Sequence, residues 1–435
     1  MYILYSLLLA CAALISLPWW LLQMARLHKY RAGFRERLGA VPARLQQTGN
    51  EGCIWIHAVS VGEVLAVSGL VTELSKREPE RRIFVSTTTA TGQALARQRF
   101  GVDRVFYMPL DFSFALRPYL AALRPGLLIL AETEFWPNLL HLARETGAAV
   151  AVVNARISDR SFPRYRRFRW FFSRVLSNVD LFLAQTEDDA RRLREIGAPE
   201  GRVGVSGNLK FDIRLSAGST LAAGLRKAIA PVSSLTGSPV IVCGSTTEGE
   251  EELVLAAFRQ VLQQIPKAVM ILAPRHPERF EKVTALISSS GLKLTRRSLW
   301  KPESPLPPGS IFLLDSLGEL ASVYELADVA FVGGSLVPLG GHNILEPAQH
   351  GVPVLTGPHT FNFREIVRIF EQGGGLRVVT AGNLGEVLIE LLSSTPQREL
   401  LGRRARELFT QNTGATGKTI AALQPLLAGK TAVAK

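Results

Sequence analysis

The chain has 435 residues, 47% of them apolar and 20% charged, with a net charge of +13 and only three cysteines. That length suits two domains, each able to bury its own core, and the composition excludes an extensively disordered chain. The basic excess points to an anionic partner, nucleic acid or a phosphate-bearing membrane surface, while the scattered Cys11, Cys53 and Cys243 exclude a disulfide framework or a cysteine metal cage.

Residues 1–22 are almost wholly apolar and carry no charge, enough as a helix for roughly 30 Å of hydrocarbon. Arg26, His28, Lys29, Arg31, Arg35 and Arg37 follow, and the bias of positive charge toward the cytoplasm places everything downstream there. A cleaved signal peptide normally begins with a basic segment, and here no Lys or Arg precedes the apolar run. Residues 1–22 are therefore read as an uncleaved membrane anchor, and 23–52 as a basic juxtamembrane segment and linker.

The stretch from Ile54 to Glu63 reads as a buried strand, a tight turn and the opening of a helix. In open α/β sheets ligands bind beyond the carboxyl ends of strands, so Glu63 stands where chemistry happens; a carboxylate there also caps a helix. Further apolar strand patterns follow at 82–86, 105–108, 127–131, 148–153, 181–184 and 202–206, with helical patterns between them. This alternation predicts a doubly wound parallel sheet over 53–213. Residues 214–238, mixing Gly, Ser, Ala and Pro around one short helical pattern, read as an interdomain linker. A second alternating series gives strands at 240–244, 269–273, 311–314, 329–333 and 352–355, making 239–425 a second doubly wound domain and 426–435 a tail. The expectation is two Rossmann-like domains facing a cleft.

Between Arg156 and Arg174 seven arginines interleave with Phe162, Tyr165, Phe168, Trp170, Phe171 and Phe172. Behind a membrane anchor, this segment reads as contact with lipid and its phosphates rather than with nucleic acid; some of the aromatics also suit a core.

Dinucleotide, Walker A, zinc-helix and nucleophile-elbow signatures are all missing, as is a D-x-D pair for a metal-bound diphosphate. What remains stands at predicted strand ends. Glu132 and Glu134 follow the strand at 127–131, and one of them would suffice to cap the next helix. Lys210 lies in Gly-Asn-Leu-Lys-Phe-Asp. In the second half, Gly244-Ser245-Thr246 suits an anion-binding turn, Arg275 suits a phosphate or carboxylate, and Gly333-Gly334-Ser335 supplies flexible backbone. Glu346 suits two vicinal ribose hydroxyls, and no third ligand joins His276 and His342 at a metal-binding spacing.

Taken together, Ser-Val-Gly-Glu at 60–63, Glu-Thr-Glu-Phe-Trp-Pro-Asn at 132–138, Gly-Asn-Leu-Lys-Phe-Asp at 207–212, Pro-Arg-His-Pro-Glu-Arg at 274–279 and Gly-Gly-His-Asn-Ile-Leu-Glu-Pro at 340–347 resemble the 3-deoxy-D-manno-octulosonic acid (Kdo) transferases of lipopolysaccharide assembly. The resemblance covers nearly the whole chain. It implies an α/β protein of GT-B architecture and an inverting glycosyltransferase that moves Kdo from CMP-Kdo to a lipid A precursor, without a metal or other cofactor. It implies that Glu63 is the general base and that Glu132 and Lys210 stabilise the transition state. It also implies that CMP is held by Pro274 and Arg275, by Leu317, Gly318 and Glu319, and by Asn343, Ile344, Leu345 and Glu346. Where family members often carry Met-Gly-Glu this chain has Leu317-Gly318-Glu319, a change conservative in size. The implied location is the cytoplasmic face of the bacterial inner membrane. The rival expectations are another GT-B nucleotide-sugar transferase or epimerase, and a membrane-tethered nucleotide-binding scaffold without catalysis.

Overall fold

The computed structural model describes residues 1–27, 33–46, 52–212, 220–229, 238–302 and 304–429, with the side chains of 17–27 and of 220 excepted. The chain divides into two compact units, one of Met1–Ile213 with Asn412–Lys435 and the other of Arg214–Gln411.

The first unit carries strands β1 (Cys53–His57), β2 (Ile83–Thr87), β3 (Val105–Tyr107), β4 (Pro125–Ala131), β5 (Ala149–Ala155), β6 (Leu181–Ala184) and β7 (Val203–Val205). They form one sheet in the order β3-β2-β1-β4-β5-β6-β7, and every pairing is parallel. Alternate residues of β1 enter opposite cores: Cys53 and Trp55 pack with Phe106 and Tyr119, while Ile54 and Ile56 pack with Val64, Val67 and Leu70. Burial on both faces is why the strand reads as an unbroken apolar run. The order of strands reverses between β1 and β4, which makes their carboxyl ends the topological switch point of this sheet.

The second unit repeats this plan with β8 (Val240–Thr246), β9 (Val269–Pro274), β10 (Lys293–Arg296), β11 (Ser310–Leu313), β12 (Val329–Val332), β13 (Val354–Thr356) and β14 (Leu376–Val378). Their order is β10-β11-β9-β8-β12-β13-β14, again all parallel, with the switch point between β8 and β12. Strands β10 and β14 are absent from the sequence reading. Both are sheet edges, and an edge strand needs no continuous apolar run, as Lys-Leu-Thr-Arg in β10 illustrates.

Two boundaries differ from the sequence expectation. Part of the expected linker is a packed helix, Thr220–Ile229, whose Leu221, Leu225, Ala228 and Ile229 join Trp300 in a core of the second unit; residues 214–219 and 230–237 lie outside the described residues. The last helix, Ala415–Leu427, belongs to the first unit rather than to the second domain expected over 239–425. Its Ile420, Leu423 and Leu427 complete the core beneath β1 and β4, and the Gly414 N–H donates to Asp212 at 2.7 Å.

The apolar N-terminus forms one helix, Tyr2–Leu27. Tyr2 stacks on His141 with ring centroids 3.9 Å apart and receives a hydrogen bond from Asn178, while Asn138 donates to Ser6 at 3.0 Å. Ile3, Leu4, Leu7, Leu8, Leu14 and Ile15 are exposed. Among the described residues no helix is long and apolar enough to cross a membrane. Of the basic stretch that follows, His28, Lys29 and Arg31 lie outside the described residues, and Arg37 lies over the Tyr107 ring and donates to the Thr88 carbonyl. The arginine-aromatic segment divides: Phe162, Tyr165, Phe171 and Phe172 pack against the first core, whereas Phe168 and Trp170 are exposed.

Candidate active site

Glu63 lies in the first turn of the helix Val61–Arg77, which begins just beyond β1. Ser60 caps that helix, its hydroxyl accepting from the Glu63 N–H. Glu63 reaches back, Oε2 accepting from the Val59 N–H at 2.7 Å and Oε1 from the Ser60 hydroxyl at 2.9 Å. Ser60-x-x-Glu63 has the spacing of a capping box, here with the carboxylate taking the Val59 N–H and the Ser60 hydroxyl, a local pattern that fixes it without help from distant residues. The residue is 8% exposed. Burial, and then the neighbouring Glu132 carboxylate, push its pKa up to about 7, against the two hydrogen bonds, which lower it. A carboxylate poised there at neutral pH is matched to abstracting a proton from a hydroxyl group.

Glu132 immediately follows β4, across the switch point from Glu63. Its backbone takes the left-handed conformation, φ +57°, unusual for a residue other than glycine and held by the Glu132 N–H donating to Val153 O at 2.9 Å. Lys210 Nζ meets Glu132 Oε1 at 3.0 Å with both side chains half-buried. The lysine is placed by an Asn208 side chain that accepts from the Lys210 N–H, and by Asn154 Oδ1, which accepts from Leu209 N–H at 2.9 Å. Glu63, Glu132 and Lys210 therefore converge on one edge of one sheet. Burial foremost also raises the Glu134 carboxyl, with Glu132 again adding to the rise.

Neither Glu132 nor Glu134 caps the next helix, Pro137–Glu145. Asp111, arriving from beyond β3, accepts from the Asn138 N–H at 3.1 Å and from the Leu139 N–H at 2.8 Å. With those end donors satisfied from elsewhere, both glutamates remain available at the sheet edge. Asp111 carries no local sequence signal, because the helix it caps starts some two dozen residues later.

The donor-binding positions expected from the sequence fall in the second unit, around its own switch point. Pro274 ends β9, and the Arg275 N–H donates to Thr246 O, the last residue of β8, at 2.8 Å. Asn343 donates to Glu346 at 3.3 Å and accepts from the Leu345 N–H, closing a short turn. Glu346 is driven upward mainly by burial, against Asn343 and the positive Arg275. His342 is lowered to about 4 by burial foremost, with the neighbouring Arg275 and His276 adding to the fall, so it stands neutral at pH 7. Gly318 takes φ +84°, Leu317 is 70% exposed, and Glu319 is gripped by the Arg297 guanidinium at 3.0 and 3.1 Å. Although burial works the other way, Arg297 and the Ser316 hydroxyl hold Glu319 below the ordinary glutamate range. Arg297 has no motif around it and escapes a sequence reading.

The turn after β8 and the Gly-rich loop after β12 prove to be one assembly. Glu250, fully buried, accepts from Thr247 N–H at 3.1 Å and Thr247 Oγ1 at 2.9 Å, and from the backbone N–H groups of Gly334, Ser335 and Leu336 at 2.6, 2.8 and 2.8 Å. A side chain at Gly333 would put its Cβ 2.7 Å from Ser245 O and 2.8 Å from Glu250 Oε2. That close approach is what requires glycine there. The sequence does carry a signal for Glu250, the Thr247-x-x-Glu250 spacing of a capping box.

Two parallel seven-stranded α/β units give the chain a GT-B-like fold. Solved structures with this fold include UDP-GlcNAc 2-epimerase from Neisseria meningitidis (14% identity, TM-score 0.56, 86% of this chain and 100% of that one). Another is the calicheamicin glycosyltransferase CalG4 (15% identity, TM-score 0.53, 89% and 100%). Sequence narrows the class. Residues 32–213 match the family model described as 3-Deoxy-D-manno-octulosonic-acid transferase (kdotransferase). The 3-deoxy-D-manno-octulosonic acid transferase of Haemophilus influenzae is 37% identical over 436 residues, covering 97% of each chain. The chain belongs to the 3-deoxy-D-manno-octulosonic acid transferase family and is a glycosyltransferase.

Proposed function

We propose that this enzyme transfers Kdo from CMP-Kdo to a lipid A precursor with inversion at the anomeric carbon, Glu63 being the general base. The observation that carries the reading is Glu63 itself, a buried carboxylate held by two hydrogen bonds and raised to about 7. As the acceptor hydroxyl oxygen bonds to the anomeric carbon, its proton passes to Glu63, and the bond to the phosphate of CMP breaks on the opposite face. Positive charge builds on the anomeric carbon, and Glu132, oriented by Lys210, counters it. CMP departs as a nucleoside monophosphate, whose charge Arg275 is suited to take without a metal ion. Asn343 to Glu346 and Leu317 to Glu319 bind the nucleoside.

The acceptor is an acylated, phosphorylated disaccharide, which places the enzyme on the cytoplasmic face of the inner membrane. Supporting this are the exposed apolar row of the N-terminal helix, from Ile3 to Ile15, and the exposed Phe168 and Trp170 among arginines. The test is mass spectrometry of a tetraacylated lipid A precursor incubated with CMP-Kdo, with and without EDTA. Mass gains of whole Kdo units, indifferent to EDTA, are expected; no gain from protein that still binds CMP would overturn the acceptor assignment.

A further inference from the structure

Three consecutive backbone N–H groups converging at the switch point of a nucleotide-binding sheet form the kind of concavity that ordinarily receives a phosphate. In the second unit that concavity is filled from within. The N–H groups of Gly334, Ser335 and Leu336 all donate to the carboxylate of Glu250. With Thr247 supplying an N–H and a hydroxyl, Glu250 receives five donors and has no exposed surface.

The clamp bears on two of the three sets of expected donor-binding residues, those at Arg275 and at Asn343–Glu346. On one side Thr247 continues from Thr246, whose carbonyl receives the Arg275 N–H at 2.8 Å. On the other, Gly334 O receives the Gly341 N–H at 2.7 Å, and a Cβ at Gly334 would lie 2.8 Å from the His342 ring. His342 leads directly into Asn343–Glu346. The Ser335 hydroxyl continues the lock, donating to Val332 O at 2.7 Å and accepting from the Gly357 N–H at 2.8 Å. One side chain thereby sets the spacing between the ends of β8 and β12, the two strands that flank the switch point.

We infer that Glu250 is a positioning residue for the donor nucleotide: its carboxylate occupies the backbone anion site of the second unit and fixes Arg275 and Asn343–Glu346 in their binding arrangement. The nucleotide's phosphate is consequently left to side chains, Arg275 above all, rather than to a glycine-rich backbone cradle. This inference rests on the reading that the second unit binds the CMP donor.

Glu250→Gln tests it. A carboxamide replaces one accepting oxygen by an NH2 group, which then faces two or three N–H or O–H donors and cannot accept from them. CMP affinity is measured by titration calorimetry on full-length protein in detergent micelles, alongside transfer kinetics and a circular-dichroism melt. The expected result is a CMP affinity weakened by about tenfold or more and a KM for CMP-Kdo raised in proportion, with the acceptor KM within about twofold of wild type. Folded Glu250→Gln that binds CMP as wild type does would overturn the inference. Failure of the wild-type protein to bind CMP would instead overturn the donor reading on which it rests. Should Glu250→Gln not fold, Glu250→Asp carries the test, its shorter side chain losing reach to the Ser335 and Leu336 N–H groups. The same donor-selective loss is expected there, and unchanged CMP affinity overturns the proposal.

Discussion

Replacing Glu63 by glutamine should move activity and stability in opposite directions. The folded-state pKa is raised from 4.5 to about 7, so ionising Glu63 in the folded protein costs about 3 kcal/mol more than in the unfolded chain. Below pH 4.5 the carboxyl is protonated in both states and costs nothing. As pH rises from 4.5 to 7 the penalty grows, and above 7 it is complete. The carboxamide of the variant would be neutral throughout and would keep an acceptor for the Val59 N–H. Allowing for the weaker bond, Glu63→Gln should stabilise the first unit by about 2 kcal/mol at pH 8, a rise of roughly 4–8 °C in its melting temperature, and by almost nothing at pH 4. Transfer should meanwhile fall by about 10²–10⁴-fold, the usual contribution of a general base. Thermal melts of wild type and variant at the two pH values, paired with rates at pH 8, provide the check. A variant no more stable than wild type at pH 8 would refute the buried-charge reasoning; near-normal turnover would refute the base.

The rate of wild-type transfer should fall as pH drops below about 7, and Glu132→Gln should shift that limb to lower pH, because the Glu132 charge, after burial, helps to hold Glu63 up. A pH–rate profile of both proteins decides it, and an unmoved limb would count against the coupling. Asp111→Ala leaves the Asn138 and Leu139 N–H groups without their acceptor, and should destabilise the first unit by about 1–2 kcal/mol in chemical unfolding. Arg275→Lys, which keeps the charge but not the planar fork, should raise the KM for CMP-Kdo by about tenfold with little change in the acceptor KM; equal effects on both would contradict a donor-side role.

Much of the fold is legible in the sequence because it is written in local patterns. Strands buried on both faces produce apolar runs that stand out against helical periodicity, so β1, β4 and β5 appear within a residue or two of their observed bounds. Strands β10 and β14 escape because edges carry no such run, and the final helix falls to the wrong unit because an apolar helical face does not say which core it will join. The short helical pattern within the expected linker is legible and corresponds to the helix Thr220–Ile229, but its packing into a core of the second unit is not, because local periodicity does not say what a helix will pack against.

The site divides along the same line. Sequence by itself determined that Glu63 opens a helix just after a buried strand, that Glu132 and Arg275 follow other strands, and which family these motifs resemble. Those are relations along the chain, set by spacing and residue type. Tertiary structure alone decided what the carboxylates do to one another. It carried Asp111 to a distant helix end and so released Glu132 and Glu134; it joined Lys210 to Glu132 at 3.0 Å, and tied Glu319 to Arg297. It also turned two separate glycine-bearing loops into a single clamp around Glu250. The physical reason is that desolvation and Coulomb interaction depend on distance through space, which the sheet order sets and residue spacing does not.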